Sequence, residues 1–315
     1  MENFTLEDAT NLYGIDGWGA GYFTIGNEGT LLVKPTRDDL YKIDDKAAVE
    51  GLVAKGVHTP LLLRFPQVLE TQVTDLCNSF ARAIQEFGYN GRYRPVFPIK
   101  VNQTAAVVSE LLRSGYKYGL GVEAGSKPEL LAAIALNASP ESLITCNGFK
   151  DRDYFRFAFR AAQLGRKIVV VIEKPFELGH YIALAKENAV RPDIGFRVRL
   201  HARGSGKWEK SGGLTSKFGL NTAQLLEGLQ DLRAAGLIDS LRMFHFHLGS
   251  QITEIRRIKT AIKEAARIYA KARNMGVKVQ YLNVGGGLGI DYDGSKTSSD
   301  ASVNYTLQEY ANDVV

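Results

Sequence analysis

A short apolar strand that ends in a lysine is predicted by Tyr93-Arg-Pro-Val-Phe-Pro-Ile-Lys-Val-Asn-Gln103. Val96, Phe97 and Ile99 are typical of a buried strand, and Lys100 follows at its carboxyl end. A lysine rarely belongs to a buried apolar run unless another group pairs with it. Because burial lowers the pKa of an amine, a lysine here is a candidate for a Schiff base with a carbonyl compound. The alternative is a strand-end lysine whose ammonium group reaches solvent.

The composition is that of an ordinary globular protein, and 315 residues allow one α/β barrel or two smaller domains. The net charge of +5 is scattered, so we expect neither nucleic acid nor a membrane as a partner. Cys77 and Cys146 are too few for a disulfide framework, and the N-terminus is too polar for a signal peptide. These features predict a cytoplasmic location.

From Lys100 onward, strand-like and helical segments alternate along the chain. The predicted strands lie near 95–100, 118–124, 142–146, 167–173, 193–200, 241–248 and 279–284. The predicted helices lie near 104–114, 127–137, 151–164, 177–189, 221–235 and 254–275. Such alternation predicts an α/β protein with a parallel sheet. Seven strands fit either a doubly wound open sheet or a (β/α)8 barrel that is cut short, and we favour the truncated barrel.

The first part of the chain predicts a small β-rich segment over residues 1–65. Short apolar runs on both sides of the turn Gly26-Asn-Glu-Gly29 indicate a β-hairpin. A helix over 38–54 and a strand over 60–65 are predicted to follow. We therefore divide the chain into this segment and an incomplete barrel over 66–315.

Polar residues follow the predicted strands, where barrel proteins place their functional groups. They are Lys100, Asn102, Glu123, Ser126, Asn147, Glu173, Lys174, Arg199, His201, His245 and His247. The two-residue period of a strand puts Arg197 beside Arg199 on one face, and His245 beside His247 on another. These faces predict a site inside the barrel. The alternative for the histidines is a pair of satisfied core residues.

A glycine-rich loop follows the seventh predicted strand, in Asn283-Val-Gly-Gly-Gly-Leu-Gly-Ile-Asp291. Three consecutive glycines let backbone N–H groups approach an anion, and barrels commonly hold a phosphate after this strand. Gly249 and Ser250 would add a second backbone donor and a hydroxyl. The alternative is a tight turn. The spacing is not that of a dinucleotide-binding loop, and we find no zinc or glycosidase motif.

Five motifs occur in the order typical of one family between about residues 90 and 295. They are Pro98-Ile-Lys-Val-Asn102, Gly121-Val-Glu-Ala-Gly-Ser-Lys-Pro-Glu-Leu130, Ser216-Lys-Phe-Gly219, His245-Phe-His-Leu-Gly-Ser250 and Val284-Gly-Gly-Gly-Leu-Gly-Ile-Asp-Tyr292. Together they resemble the fold-type III decarboxylases that use pyridoxal phosphate, the ornithine, diaminopimelate and arginine decarboxylase group. The leader Tyr13-Gly-Ile-Asp-Gly-Trp-Gly-Ala-Gly-Tyr-Phe23 is similar to that of the arginine-specific biosynthetic members.

The resemblance implies a barrel of the alanine-racemase-like kind and the decarboxylation of L-arginine to agmatine and carbon dioxide, which serves putrescine and spermidine synthesis. Lys100 would hold pyridoxal phosphate as a Schiff base, and His247 would stack on its ring. The other implied cofactor contacts are Glu123, Arg199, Ser250, Gly285, Gly286 and Gly287. The implied substrate contacts are Asn283, Gly287, Leu288, Gly289, Asp291 and Tyr292. Magnesium is implied by the resemblance alone, since no residues indicate a metal site, and the full enzyme would be a dimer or a dimer of dimers.

The family's glutamate that pairs with the pyridinium nitrogen would lie beyond Val315, as would the C-terminal β-domain to which residues 1–65 contribute. We therefore expect this chain to be the N-terminal part of a longer enzyme, with little or no decarboxylase activity alone. A diaminopimelate or ornithine decarboxylase is the nearest alternative. A non-catalytic regulatory homologue is another, although Lys100 and the intact glycine loop argue against it. An unrelated phosphate-binding barrel, such as a Schiff-base aldolase, is the third.

Overall fold

The N-terminal part of the chain forms a three-stranded antiparallel sheet flanked by helices. The structure, a computed structural model, describes residues 4–136, 139–202, 216–292, 294–297 and 299–315. The first elements are α1 (Leu6–Leu12), α2 (Ile15–Trp18), β1 (Phe23–Ile25), β2 (Leu31–Val33), β3 (Ile43–Asp44) and α3 (Asp45–Ala54). Strands β1 and β2 pair in antiparallel register, with Phe23 opposite Val33. The predicted hairpin is confirmed.

Two sequence predictions in this segment are wrong. The helix predicted over 38–54 begins only at Asp45, because residues 43–44 pair with β2 as strand β3. Residues 60–65 form no strand: no neighbouring strand supplies hydrogen bonds there, and Leu62 is 73% exposed. Helix α4 (Pro66–Glu86) begins at a proline, whose fixed φ suits the first turn of a helix. The domain boundary at residue 65 stays a prediction.

Seven parallel strands form the main sheet. They are β4 (Val96–Pro98), β5 (Gly121–Ala124), β6 (Ile144–Cys146), β7 (Ile168–Ile172), β8 (Asp193–Arg197), β9 (Leu241–His247) and β10 (Tyr281–Gly285). Their order in the sheet follows their order in the chain, and every neighbouring pair is parallel. A doubly wound sheet would reverse its strand order at one point, so that alternative is wrong. The predicted barrel-type architecture is confirmed as a curled half-barrel.

Helices cover the outer face of the half-barrel. They are α5 (Ala105–Gly115), α6 (Lys127–Leu136), α7 (Arg152–Gln163), α8 (Pro175–Glu187), α9 (Thr222–Ala234), α10 (Ile255–Asn274) and α11 (Leu307–Val314). The largest apolar core lies between this layer and the sheet, and α7 buries Tyr154, Phe155 and Phe159 in it. Within the described part of the chain, none of the helices combines the length and the apolar character that crossing a membrane requires.

Helices from the two edges of the sheet pack against each other. Helix α4, which precedes the first strand β4, packs against α11, which follows the last strand β10. Phe80 stacks on Tyr93 with ring centroids 3.7 Å apart and meets the edge of Tyr310 at 5.8 Å. Arg82 also donates a hydrogen bond to Gln308 across this contact (2.7 Å).

The inner face of the half-barrel changes from apolar to polar along the strands. Leu143, Val169, Val171 and Met243 form a small buried cluster, and Tyr281 packs against it. Apart from Val171, which lies near the end of β7, these residues belong to the amino-terminal parts of their strands or lie just before them. Because alternate residues of a strand share a face, the residues two and four positions further on also point inward. Those positions include Asn147, Glu173, His245, His247 and Asn283, which the sequence predicts at the strand ends.

Candidate active site

Lys100 lies just beyond the end of β4 and pairs with a glutamate. The strand ends at Pro98, which has no N–H to continue the ladder, and residues 99–101 form one turn of 3-10 helix. Lys100 Nζ lies 3.5 Å from Glu123 Oε2, and the lysine side chain is 52% exposed. The expectation that this lysine is buried is therefore wrong, because the turn lifts it out of the sheet. The expectation of a partner is met by Glu123.

Glu123 is the buried member of this pair. It lies on β5 in register with Pro98, and its side chain is 11% exposed. Burial raises the pKa of Glu123, while the charge of Lys100 opposes that rise. Among the described residues, three buried oxygens on this inner surface have no hydrogen-bond partner: Glu123 Oε1, Thr145 Oγ1 and Asn147 Oδ1. Buried polar atoms normally find partners, so this surface is suited to a polar ligand.

His245 is a fully bonded core histidine. Its Nδ1 lies 3.2 Å from the carbonyl oxygen of Asn283, and its Nε2 lies 2.9 Å from Asn147 Nδ2. Because a carbonyl can only accept, Nδ1 carries the ring proton and Nε2 accepts from the Asn147 amide. Burial, reinforced by the charge of Arg197, lowers the pKa of His245 to about 3. The alternative of a satisfied core residue thus holds for this histidine.

His247 lies two residues further along β9 and is also uncharged at neutral pH. Burial first, and Arg197 second, lower the pKa of His247 to about 3. Its Nδ1 accepts a hydrogen bond from the N–H of Gly249 (3.1 Å), so the ring proton is on Nε2. A neutral imidazole in this position is a flat ring suited to stacking on an aromatic cofactor.

In the glycine loop, residues 285–289, Gly285 and Gly286 leave no room for a side chain. A Cβ on Gly285 would lie 2.5 Å from Cε1 of His245, and one on Gly286 would lie 2.9 Å from Cδ1 of Ile252. Gly286 also has a φ of +138°, which favours glycine. The N–H of Gly287 donates to Gly249 O (2.8 Å), which binds this loop to the one after β9. That N–H is therefore already paired in this structure.

The two loops are locked together over several residues. Leu288 and Ile252 form a parallel bridge, and Ile252 donates its N–H to Gly287 O (3.0 Å). The hydroxyl of Tyr305 accepts from the N–H of Gly289 (3.0 Å) and donates to Ile252 O (2.7 Å). Ser250 is exposed at the tip of this double loop.

The other predicted substrate residues already have partners within the chain. The side chain of Asn283 contacts His245 (3.1 Å) inside the half-barrel. The carboxylate of Asp291 accepts from the Ser302 hydroxyl (2.5 Å) and so holds its own loop. Tyr292 is 69% exposed beside it. Their predicted contacts with substrate stay predictions.

Two arginines lie at the carboxyl end of β8. Arg197 Nη1 donates to Glu173 Oε2 at 2.9 Å, and Arg199 Nη2 donates to the carbonyl oxygen of Gly219 at 2.9 Å. Arg197 is in register with His245 and lies on the polar inner face, as the sequence predicts. His201 is exposed and outside the cluster, and its N–H donates to a carboxylate on α10.

Sequence analysis missed a buried ion pair behind this cluster. Lys150 and Glu177 are both completely buried, yet one lies in the loop after β6 and the other in the first turn of α8. Neither belongs to a strand end or to a recognised motif. The only signal was a charged residue at a position of α8 that faces the sheet.

The site combines an accessible primary amine beside a carboxylate, a neutral ring and a glycine loop, all at the carboxyl edge of a parallel sheet. The amine fits the aldehyde of pyridoxal phosphate and the neutral ring of His247 fits its aromatic ring. Of the loop's backbone donors, the N–H groups of Gly287 and Gly289 are already paired within the chain. The fold and the position of these residues therefore define a barrel-type protein with a candidate cofactor site at the carboxyl ends of its strands. Residues 72–315 match the family model described as pyridoxal-dependent decarboxylase, pyridoxal binding domain, and the chain belongs to this family.

Known proteins of this family resemble the chain over its whole length. The biosynthetic arginine decarboxylase of Bacteroides thetaiotaomicron is 46% identical, over 100% of this chain and 50% of the relative. That of Rhodopirellula baltica is 50% identical, over 99% of this chain and 47% of the relative. The chain thus spans about half the length of the curated relatives it matches.

Solved structures give the same fold. The biosynthetic arginine decarboxylase from Campylobacter jejuni superposes with a TM-score of 0.86 at 41% identity, covering 96% of this chain and 48% of that one. A diaminopimelate decarboxylase from M. jannaschi reaches a TM-score of 0.67 at 21% identity, covering 94% of this chain and 62% of that one. The second comparison shows the shared fold alone.

Proposed function

We propose that this chain carries the pyridoxal-phosphate site of an enzyme that decarboxylates L-arginine to agmatine and carbon dioxide. The observation that carries the proposal is the pair formed by Lys100 and Glu123, 3.5 Å apart at the strand-end face that also carries the glycine loop. Arginine is favoured over diaminopimelate and ornithine because the proteins 46% and 50% identical to this chain are named biosynthetic arginine decarboxylases.

Each residue of the site has a task that follows from its surroundings. Pyridoxal phosphate, when bound, supplies an electron sink for the pair of electrons left by departing carbon dioxide. Lys100 offers a primary amine that solvent and ligands reach, and Glu123 is placed to exchange a proton with it. The neutral ring of His247 offers a flat surface, and the glycine loop admits an anion close to its backbone.

The same proposal includes several features taken from the family resemblance. They are the homo-oligomer, the cytoplasmic location and the supply of agmatine to putrescine and spermidine synthesis. Magnesium is likewise taken from the resemblance alone, and among the residues that the structure describes no group of three or more histidine, cysteine, aspartate or glutamate side chains is placed to hold a metal. We derive no step through a metal ion.

Covalent trapping tests the cofactor. The chain is incubated with pyridoxal phosphate, reduced with borohydride and digested, and the labelled peptide is located by mass spectrometry. We expect the label on Lys100, and we expect Lys127→Met, which removes a lysine 42% exposed on the same face, to be labelled like the unaltered chain. A folded chain that carries no label on Lys100 would overturn the proposal.

Substrate choice needs a second measurement. Arginine, ornithine and diaminopimelate are titrated into the cofactor-loaded chain while the absorption of the bound cofactor is followed. We expect arginine to act at concentrations at least about tenfold below the other two, which corresponds to about 1.4 kcal/mol of binding free energy. Preference for either of the others would replace arginine as the substrate. We still expect little or no agmatine from this chain alone.

A further inference from the structure

A completely buried ion pair lies behind the site without touching it. Lys150 Nζ is 3.3 Å from Glu177 Oε2, and neither side chain has any exposed surface. Nζ also donates to the carbonyl oxygen of Gly148 (2.5 Å). None of the tasks proposed above uses this pair. Because charged groups are costly to bury, its retention in the interior calls for a physical reason.

The carboxylate of Glu177 ties two strand-end loops together. It accepts the backbone N–H of Lys150, in the loop after β6, at 3.1 Å. It also accepts the backbone N–H of Glu173, at the end of β7, at 2.8 Å. Burial raises the pKa of Glu177 and the charge of Lys150 opposes that rise, while the carboxylate holds both loops.

Glu173 passes this constraint on to the site. Its Oε1 accepts the N–H of Gly148 (2.7 Å), and its Oε2 accepts from Nη1 of Arg197 (2.9 Å). Glu173 is itself completely buried, and Arg197 is only 12% exposed. The guanidinium carbon of Arg197 lies 5.5 Å from the ring centroid of Phe218. The path from Glu177 to Arg197 is thus an unbroken series of short polar contacts with balanced charge.

We propose that Lys150 and Glu177 are positioning residues that fix Glu173 and, through it, the guanidinium of Arg197 at the carboxyl end of β8. A buried ion pair contributes little net stability compared with apolar residues of similar size. Its hydrogen bonds to the backbone of both loops are the feature that would fix the geometry here. The pair that joins Lys127 to Asp151 (2.7 Å) contrasts with it, because both of its side chains are about half exposed. That pair is the natural control.

The direct test measures the order of Arg197 in the chain without any cofactor. The order parameter of its Nε–H bond is determined by NMR relaxation in the unaltered chain, in Lys150→Met, in Glu177→Gln and in Lys127→Met. We expect an order parameter of about 0.85 in the unaltered chain and in Lys127→Met. In Lys150→Met and Glu177→Gln we expect it to fall below about 0.6. Arg197 remaining ordered in both buried variants would overturn the proposal.

A charge-balanced variant keeps the test sound if the single changes unfold the chain. The double change K150M/E177Q removes both buried charges together, which protein interiors tolerate better than one unpaired charge. We expect this variant to fold and to show the same disorder at Arg197. A folded double variant with an ordered Arg197 would equally overturn the proposal.

The functional consequence is read from the affinity for pyridoxal phosphate, and this part rests on the proposed function. We expect affinity to fall at least about tenfold in K150M/E177Q and to stay within about twofold in Lys127→Met. Unchanged affinity alongside a disordered Arg197 would overturn the functional part. An unaltered chain that binds no cofactor would instead contradict the proposed function, while the order parameters would still decide the positioning role.

Discussion

The two edge strands of the main sheet, β4 and β10, are followed by segments that are held in place very differently. Both segments lie at the carboxyl ends of the strands. At the β4 end, Lys100 stands on a single turn, 52% exposed, with one ion pair to hold it. At the β10 end, the glycine loop is bound to the loop after β9 by backbone hydrogen bonds, by a parallel bridge and by the hydroxyl of Tyr305. Lys100, at the β4 end, is therefore held by few contacts. The glycine loop, at the β10 end, is fixed in one conformation before any ligand binds.

The difference follows from what each end would have to do. An amine that attacks a carbonyl and later exchanges its partner must move, so a tight hydrogen-bond network around Lys100 would oppose its reaction. An anion site gains affinity when its backbone donors are ordered before the ligand arrives. The contrast leads us to expect that changes at the β4 end remove chemistry and leave stability intact. Changes at the β10 end should lower both.

Replacing the amine should give the largest effect. We expect Lys100→Met to abolish borohydride-trapped pyridoxal phosphate, because no other amine pairs with Glu123 in the described residues. Since the side chain is half exposed, the free energy of unfolding should change by no more than about 0.5 kcal/mol. Mass spectrometry and urea unfolding measure the two effects. A large loss of stability would show that the β4 end is also fixed in one conformation by its contacts.

A side chain in the glycine loop should give the next largest effect. Gly286→Ala places a Cβ 2.9 Å from Ile252 at a φ of +138°. We expect the affinity for pyridoxal phosphate to fall at least about tenfold. The free energy of unfolding should also fall, by about 1–3 kcal/mol.

Gly165→Ala is the matched control for this change. Gly165 has a φ of +76° but nothing within 4 Å of its added Cβ, so only backbone strain applies. That strain should cost about 1 kcal/mol and leave cofactor affinity unchanged. Equal affinities of Gly286→Ala and Gly165→Ala for pyridoxal phosphate would contradict the idea that a fixed glycine loop contributes to binding.

Acid should destabilise the β10 end through His245 and His247 on the neighbouring strand β9. The pKa values of His245 and His247 in the folded chain are lowered to about 3 from the ordinary histidine value of 6.5. Below pH 6.5 the unfolded chain therefore binds more protons than the folded chain. The stabilisation is complete above pH 6.5 and is lost as the pH falls towards 3. Through each histidine, the free energy of unfolding should fall by about 2 kcal/mol when the pH is lowered from 7 to 5.

Urea unfolding at both pH values checks this prediction with His245→Gln. The variant should be less stable at pH 7, because the bonds to Asn147 and Asn283 are disturbed, yet it should lose about 2 kcal/mol less on acidification. An identical loss in the variant would show that the pKa of His245 is the same in the folded and the unfolded chain.

Removing one hydroxyl from the double loop should give the smallest effect. Tyr305→Phe deletes the hydrogen bonds to Ile252 and Gly289, which should lower the free energy of unfolding by about 1–2 kcal/mol. Cofactor affinity should weaken by a factor of about two to five. The hydroxyl of Tyr269 donates to Val279 (3.0 Å) at the far side of the sheet, so Tyr269→Phe should cost stability without affecting affinity.

Sequence patterns were sufficient for the architecture of the barrel. The alternation of strands and helices after Lys100 predicted a parallel sheet of seven strands, because buried strands read as short apolar runs and the helices between them carry an apolar stripe. The same patterns failed at residues 60–65, where an apolar run has no neighbouring strand. A strand depends on a partner that the local sequence does not specify.

The sequence by itself determined which residues are present at the strand ends, including Lys100, Glu123, the two histidines of β9 and the glycine loop. It could not decide their states. Whether Lys100 is exposed, which nitrogen of His245 carries the proton, and whether Lys150 and Glu177 meet depend on groups that are close in space and far apart in the chain. Only the tertiary structure brings those groups together, because hydrogen bonding and desolvation act over a few ångströms irrespective of sequence distance.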